Sequence, residues 1–347
     1  MTLGRLDSAV ADARRGIDFA DELKDDWQMF LATRATAADA LHQSGDRDEA
    51  RELFAAAERM QKERAPQFEL RYSLAGFRYC DLLLATAERA AWQVALASRG
   101  REPAGLFSGS PTGSRPRLAK VEQQPHTVLT DAERTTALDA CTQAERRAAT
   151  VFEWRAGTIW NPNADSVLSV ALDNLTLARA TFYAWLLRAD SAFSLPPSSF
   201  EPLSVSVHSF RKAGTTHELP KGLLTVAVWH ACCGKRSPAV EALNEALQIA
   251  QRGPMPLYYA DILLTRARLF STSDASVGPV PTGQPPTEAG SANDGNESAG
   301  GNRPYPWDSS PQEDLREARR LIEKHGYWRR KEELEDAEIA IFGAIQA

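Results

Sequence analysis

The chain has 347 residues, with 40 Lys and Arg against 46 Asp and Glu and a formal net charge of −6 at pH 7. A mild acidic excess without a basic stripe argues against a nucleic-acid-binding surface, and no apolar run approaches the ~20 residues of a membrane span. Four cysteines, two of them adjacent, match neither a metal-ligand spacing nor a disulfide framework. We therefore expect a cytoplasmic protein with reduced thiols that contacts neither nucleic acid nor membrane.

Apolar residues recur three or four positions apart along most of the chain, which is typical of amphipathic helices. No strand-like alternation of useful length appears, so the sequence predicts an all-α fold. The predicted helices span about 4–20, 25–43, 46–64, 67–98, 131–154 and 164–190, a short helix that ends near 213, and about 218–233, 237–251, 255–270, 311–325 and 328–345.

Two stretches rich in Gly, Pro and Ser interrupt the helical pattern and cannot pack a hydrophobic core. They divide the chain by composition. The predicted parts are N-terminal helical repeats at 1–98, a disordered insertion at 99–128, central repeats at 129–270, a low-complexity insertion at 271–308, and a C-terminal repeat with a capping helix at 309–347.

The stretch 37–60 carries the clearest structural signal, two helical runs that meet at Gly45. Glycine supplies the permissive backbone that such a turn requires. In the second run Ala50, Phe54 and Ala57 share one helical face, with small residues where helices approach closely and Phe54 to fill the space between them. A hairpin of this kind cannot bury its apolar face alone, so it requires neighbours of the same kind.

The same spacing recurs along the chain: a glycine, an alanine five positions on, a further residue four beyond that, and a small residue three beyond that. It appears as Gly4, Ala9, Ala13 and Gly16, as Gly45, Ala50, Phe54 and Ala57, and as Gly234, Ala239, Leu243 and Ala246. A second pattern on preceding helices places an apolar residue two positions after Asp81, Asp173 and Asp261. The whole resembles the tetratricopeptide repeat (TPR), whose second helix carries Ala, a large apolar residue and Ala at these spacings.

Three further segments are similar to the C-terminal repeat region of bacterial signal-transduction ATPases of the STAND type. They are AGTTHELPKGLL, YYADILLTRARLF and PWDSSPQEDLREARRLIEKHGYWRRKEELEDAE. No GxxxxGK(S/T) motif occurs in the sequence, so the resemblance implies only the sensor-like part of such a protein. It implies a right-handed superhelical solenoid of antiparallel helix pairs, in which the first helix of each pair lines a concave groove.

From this resemblance we expect the groove to bind a peptide or a protein partner, because aromatic and arginine side chains suit a recognition surface. The expected groove residues are Asp39, Tyr79, Asp81, Asp173, Asn174, Arg179, Tyr258, Tyr259, Asp261 and Arg266. The alternative for Asp81 and Asp261 is structural, since buried charges are usually paired and these carboxylates could satisfy backbone or arginine groups between helices. Acidic residues closely follow Arg329 and Arg330, which predicts a solvated helix face there.

No catalytic, cofactor or metal site is expected. His217-Glu218 begins an HExxH-like sequence, but Lys221 takes its fifth position and Pro220 interrupts the helix that a zinc site needs. The predicted function is therefore a non-catalytic scaffold for protein–protein interaction. The alternative is a detached sensor or regulatory module that works with a separate P-loop signalling ATPase.

Residues 4–20 match the second helix of a pair whose first helix is missing. Either the chain continues upstream, or a partner or a fraying helix covers the open face, because such a face needs a neighbour. Self-association through this N-terminal helix face is one such arrangement.

Overall fold

The computed structural model describes residues 4–23, 26–98, 129–157, 166–188, 200–271 and 305–343. Within these ranges every regular element is helical, which confirms the all-α prediction for this part of the chain. Short 3₁₀ turns lie at Pro66–Phe68 and Trp328–Arg330. The α-helices of the described ranges are α1 (Leu6–Glu22), α2 (Trp27–Gln43), α3 (Arg47–Arg64), α4 (Ser73–Ser98), α5 (Asp131–Ala156), α6 (Val167–Arg188), α7 (Phe200–Ala213), α8 (Leu219–Cys232), α9 (Arg236–Arg252), α10 (Pro256–Phe270), α11 (Pro311–His325) and α12 (Lys331–Phe342).

Helices that are adjacent in the sequence pack as pairs, such as α2 with α3, α6 with α7, α8 with α9 and α10 with α11. Each even-numbered helix from α2 to α10 also contacts the next even-numbered one, so these helices form a continuous layer. The odd-numbered helices from α3 to α9 each pack on the two even-numbered helices that flank them in the sequence. The main hydrophobic core lies between the two sets and extends from α4 to α10.

The α2–α3 hairpin follows directly from its sequence. Gly45 has φ +93°, a conformation that glycine adopts without strain, and the Asp46 carboxylate accepts a hydrogen bond from the backbone N–H of Glu49 at 3.3 Å. Phe54 is 0% exposed and stacks on the ring of Tyr79 in α4, with the ring centroids 4.8 Å apart. Phe54 shares a buried cluster with Ala38 and Leu41 of α2, so it packs inside the hairpin as its spacing predicts, and it also contacts Tyr79 of the next helix, α4.

The fourth helix begins later than the predicted start near 67, because residues before it bond to α3 instead of continuing a helix. The backbone N–H of Arg71 donates to the Glu58 carboxylate at 2.8 Å, and its guanidinium donates to Gln61 at 2.6 Å. Ser73 then takes a positive φ of 56°. Gly76 lies so close to the Arg71 carbonyl that a Cβ would be 2.4 Å from the oxygen, so this bend excludes a side chain there.

The two ends of the helical array contact each other. The α12 helix packs on α4, and the Trp328–Arg330 turn packs on α2. Arg47 pairs with Glu332 at 3.4 Å, and Arg89 pairs with Asp336 at 2.7 Å. Segments far apart in the sequence are thus joined by ion pairs.

The N-terminal helix is partly covered by the chain itself. Leu6 is buried in a cluster that includes Leu263 of α10 and Leu315 of α11. Near the other end of α1, Phe19 is 64% exposed and Leu23 is 56% exposed. Self-association through the open part of this helix stays a prediction.

The predicted insertion at 99–128 lies outside the described residues, as does 272–304 of the second insertion. The described end of that second segment is packed. Trp307 donates from Nε1 to the Asn244 side chain at 2.7 Å, and the Tyr305 hydroxyl donates to Asp314. The non-helical residues from Tyr305 therefore already contact α9 and α11, ahead of the first residue of α11, Pro311. None of the helices described is both long and apolar enough for a membrane crossing.

We expect Phe54→Ala to lower the free energy of unfolding by roughly 3–5 kcal/mol, since it removes a fully buried ring and leaves a cavity. Urea denaturation followed by circular dichroism measures this loss. Phe19→Ala is the matched control, and at its exposed position the change should stay within about 0.5 kcal/mol. A loss below about 1 kcal/mol at Phe54 would contradict its assigned place inside the α2–α3 hairpin.

Candidate functional site

The layer of even-numbered helices encloses a cavity of about 150 Å³. Side chains of α2, α4, α6, α8 and α10 line it, and the Tyr327–Arg330 segment closes one side. Charged residues and apolar residues both contribute to the wall. A concave, mixed surface of this kind is typical of ligand sites.

A buried ion-pair network forms one part of this wall. The Arg179 guanidinium donates to Asp81 at 2.7 Å and to Glu88 at 3.2 Å. Arg329 donates to the same two carboxylates, at 3.0 Å and 3.3 Å, and Arg330 lies 3.1 Å from Glu88. The network therefore ties α4 and α6 to the turn before α12.

The network continues into α10. Asp261 accepts hydrogen bonds from Arg330 Nε at 2.8 Å and from the Tyr327 hydroxyl at 3.0 Å. Glu333 accepts from Arg330 and, at 2.9 Å, from Arg268. The carboxylates Asp81, Glu88, Asp261 and Glu333 are thus balanced by the guanidinium groups of Arg179, Arg268, Arg329 and Arg330.

Burial and ion pairing act in opposite directions on these carboxylates. Burial raises the pKa of Asp81, but Arg329 and Arg179 outweigh it and hold that pKa well below its usual range. Burial likewise opposes ionisation of Glu88, yet the neighbouring guanidinium groups lower its pKa to about 2. At Asp261 burial prevails over the attraction of Arg330, so its pKa is raised.

A second polar group lies at the starts of α8 and α10 and on α2 and α4. Arg78 pairs with Asp39 at 2.9 Å, and Lys221 pairs with Glu218 at 2.9 Å. The Lys221 ammonium also lies 5.9 Å from the ring centroid of Tyr258, a distance typical of a cation–π contact.

The apolar part of the wall comes mainly from the middle and later turns of α4, α6, α8 and α10. Its members are Ala91, Trp92, Ala95, Phe182, Leu186, Leu224, Val228, Leu264 and Leu269. Arg268 lies over the ring of Trp92, 4.8 Å from its centroid, and its charge is held by Glu333. The cavity thus has a polar part and an apolar part.

Half of the ten predicted groove residues line this cavity, namely Asp39, Asp81, Arg179, Tyr258 and Asp261. All five residues belong to even-numbered helices, and each lies on the helix face that is turned to the cavity. For Asp81 and Asp261 the structural alternative also holds, since both carboxylates accept hydrogen bonds from arginines of other elements. Their role toward a partner stays a prediction.

The other predicted groove residues lie elsewhere. Tyr79 packs between Phe54 and Arg147, in the core of the α3–α4 region. Asp173 accepts from Arg155 at 2.6 Å, and the Asn174 side chain donates to the carbonyl of residue 170 at 2.8 Å. Their helix faces turn toward neighbouring helices, so these side chains do not line the cavity.

Tyr259 and Arg266 in α10 also point away from the cavity. Tyr259 is half-buried against two hydrophobic clusters. Arg266 pairs with Asp314 at 3.0 Å and lies 3.9 Å from the ring centroid of Trp307. Arg266 therefore joins α10 to α11 and to the segment that precedes α11.

The prediction of a solvated face at Arg329 and Arg330 was wrong, because the two residues are only 4% and 8% exposed. Sequence reasoning also missed Glu88, an acidic residue inside the long apolar run of α4. A buried carboxylate needs a cation. Asp81 and Glu88, two acidic residues within an apolar run, were therefore the sequence signal that arginines from another element are buried beside α4.

Within the described ranges no three His, Cys, Asp or Glu side chains are grouped so as to hold a metal ion. No protein-family model, curated protein or solved structure matches the chain. A proposal about function therefore rests on the geometry of the described residues.

We expect Arg329→Met to lower the free energy of unfolding by about 3–5 kcal/mol, because it leaves the buried carboxylates of the network short of one cation. Urea denaturation measures the change. Arg211→Met removes an arginine that pairs with Glu245 while 53% exposed, and should cost under about 1 kcal/mol. Equal losses in the two variants would argue against a special role for the buried network.

A second prediction concerns His42, which is 1% exposed in the last turn of α2. Burial, followed by the charge of Arg329, lowers its pKa to about 3 from an ordinary value of 6.5. The unfolded chain takes up this proton as the pH falls through about 6.5, whereas the folded chain does so only near pH 3. Between these values the unfolded state binds more protons, so stability falls with falling pH.

We therefore expect the wild type to lose about 4 kcal/mol more than His42→Gln between pH 7 and pH 3. Denaturation curves across this range measure the difference. His208→Gln, at an exposed position, should follow the wild type. A wild-type curve parallel to that of His42→Gln would refute the assignment.

Proposed function

We propose that this chain is a cytoplasmic, non-catalytic scaffold that binds a peptide or protein partner at its inner cavity. In this proposal the helix pairs are TPR-like and form a right-handed solenoid. The observation that carries it is the convergence of Asp39, Asp81, Arg179, Tyr258 and Asp261, chosen from the sequence pattern, on one cavity.

The packing of the repeats supports the TPR-like arrangement. Ala50 and Ala57 in α3 and Ala239 and Ala246 in α9 are all 0% exposed. Small buried residues at this spacing let the two helices of a pair approach closely. The even-numbered helices, which would be the first helices of the pairs, form the layer that lines the cavity.

The composition of the wall supports binding over catalysis. The network carboxylates are each held by guanidinium groups, which keep their charge at all accessible pH values. Asp81 and Glu88, whose pKa values are lowered by these arginines, are poor general bases, whereas a wall of aromatic, arginine and apolar side chains suits recognition.

The test begins with affinity purification from the native host, followed by calorimetric titration of the purified partner without nucleotide or metal. We expect Lys221→Ala and Tyr258→Ala each to raise the dissociation constant at least tenfold, a loss of about 1.4 kcal/mol or more. Lys212→Ala, at an exposed position on α7, is the matched control and should leave binding unchanged.

Thermal denaturation establishes that each variant is folded before its affinity is compared. A partner that binds all three variants as tightly as the wild type would place the interaction outside the cavity. That result would refute the proposal.

A further inference from the structure

The cavity is polar at one end and apolar at the other. The Lys221 ammonium, in the first turn of α8, lies 4.9 Å from the ring centroid of Phe77, near the start of α4, and 5.9 Å from that of Tyr258, in the first turn of α10. The starts of three helices therefore meet at the polar end. Arg268 lies over Trp92, so the later turns of α10 and α4 meet at the apolar end.

The polar end reaches solvent, whereas at the apolar end the α6 and α10 walls are buried and Leu224 and Val228 of α8 are half-buried. The side chains of Lys221 and Arg78 are 26% and 21% exposed. At the apolar end Phe182 is 1% exposed and Leu264 is 2% exposed. A ligand that enters from the polar end would therefore place its leading group among apolar side chains.

The charges at the polar end are already paired. Arg78 is neutralised by Asp39, Lys221 by Glu218, and the arginines of the buried network by its carboxylates. A charged ligand would lose its hydration without gaining a free counter-charge, which is costly in a buried site. This arrangement favours a ligand with no net charge.

The polar end also has a neutral hydrogen-bonding group. The Tyr258 hydroxyl has no hydrogen-bond partner among the described residues. Burial, followed by the nearby Glu218 carboxylate, raises the pKa of Tyr258 well above its usual value, so the hydroxyl is protonated and can donate. An amide of a polypeptide backbone is a neutral partner for such a group.

The volume is close to that of one aromatic ring. The cavity measures about 150 Å³, and an apolar cavity of that size in a protein core admits a single benzene ring. An aromatic ring buried in a pocket of this kind is a typical energetic anchor of an interface.

We propose that the cavity takes one uncharged aromatic side chain of the partner, with a phenylalanine ring at the apolar end and its flanking backbone amides at Tyr258 and Lys221. This inference rests on the proposed function, because it names the part of the partner that occupies the cavity. The remainder of the partner stays outside, on the rim.

Three phenylalanine derivatives that differ in charge test the inference without any knowledge of the partner. N-acetyl-phenylalaninamide is neutral, N-acetyl-phenylalanine is an anion, and phenylalaninamide is a cation at neutral pH. In ligand-detected NMR titrations of the full chain, we expect the neutral compound to bind at least tenfold more tightly than either charged one. Equal affinities, or no saturable binding of the neutral compound, would overturn the inference.

Two matched Val→Trp variants locate the binding. Val228→Trp places a large side chain inside the cavity and should abolish binding of the neutral compound. Val205→Trp makes the same change on α7 at a position that is 39% exposed, and should leave binding intact. Leu224→Phe, a smaller filling of the same cavity, replaces Val228→Trp if that variant fails to fold, and should weaken binding at least tenfold. Retained affinity in a folded, filled variant would place the site elsewhere.

The two proposals fail in different ways. In one case the neutral compound binds in the cavity, but a purified partner binds Val228→Trp, Lys221→Ala and Tyr258→Ala as tightly as the wild type. The proposed function is then wrong, and the preference of the cavity for a neutral ring stands. If the partner depends on Lys221 and Tyr258 but the neutral compound does not bind, the aromatic anchor is wrong and the scaffold function stands.

Discussion

The ion pairs between α4 and the turn before α12 are the constraint on which the rest of the structure depends. Asp81 and Glu88 would be unstable as isolated buried charges, and Arg179 alone supplies one cation for two carboxylates. Arg329 and Arg330 complete the balance from the other end of the array. The stability of the layer of even-numbered helices therefore depends on the contact between the two ends of the helical array.

The same pairs decide the character of the cavity. Because the charged groups near it neutralise one another, its wall contains charged side chains, yet none of those described is unpaired. The selectivity of this cavity for a ligand would then depend more on its shape and its apolar contacts than on long-range electrostatic attraction. The later turns of the even-numbered helices provide that contact, with Trp92 and Phe182 as its largest members.

Local features were predictable from the sequence, and distant ones were not. The α2–α3 hairpin could be predicted because a glycine turn and a 3.6-residue period are encoded within a few positions. Tyr79 and Asp173 do not line the cavity, because the rotation of each helix, which a degenerate repeat leaves open, decides which face meets the cavity. The burial of Arg329 could not be predicted, since its partner Asp81 is 248 positions away and its own neighbours are acidic.

That separation has a consequence for how the protein is made. On the ribosome, α4 and α6 emerge long before Arg329 is synthesised, so until then Asp81 and Glu88 have only Arg179 among the network arginines that reach them. Contacts between distant segments form late because closing a long loop costs entropy. The layer of even-numbered helices in a nascent chain therefore stays incompletely neutralised, and open to water, until the Trp328–Arg330 turn has left the exit tunnel.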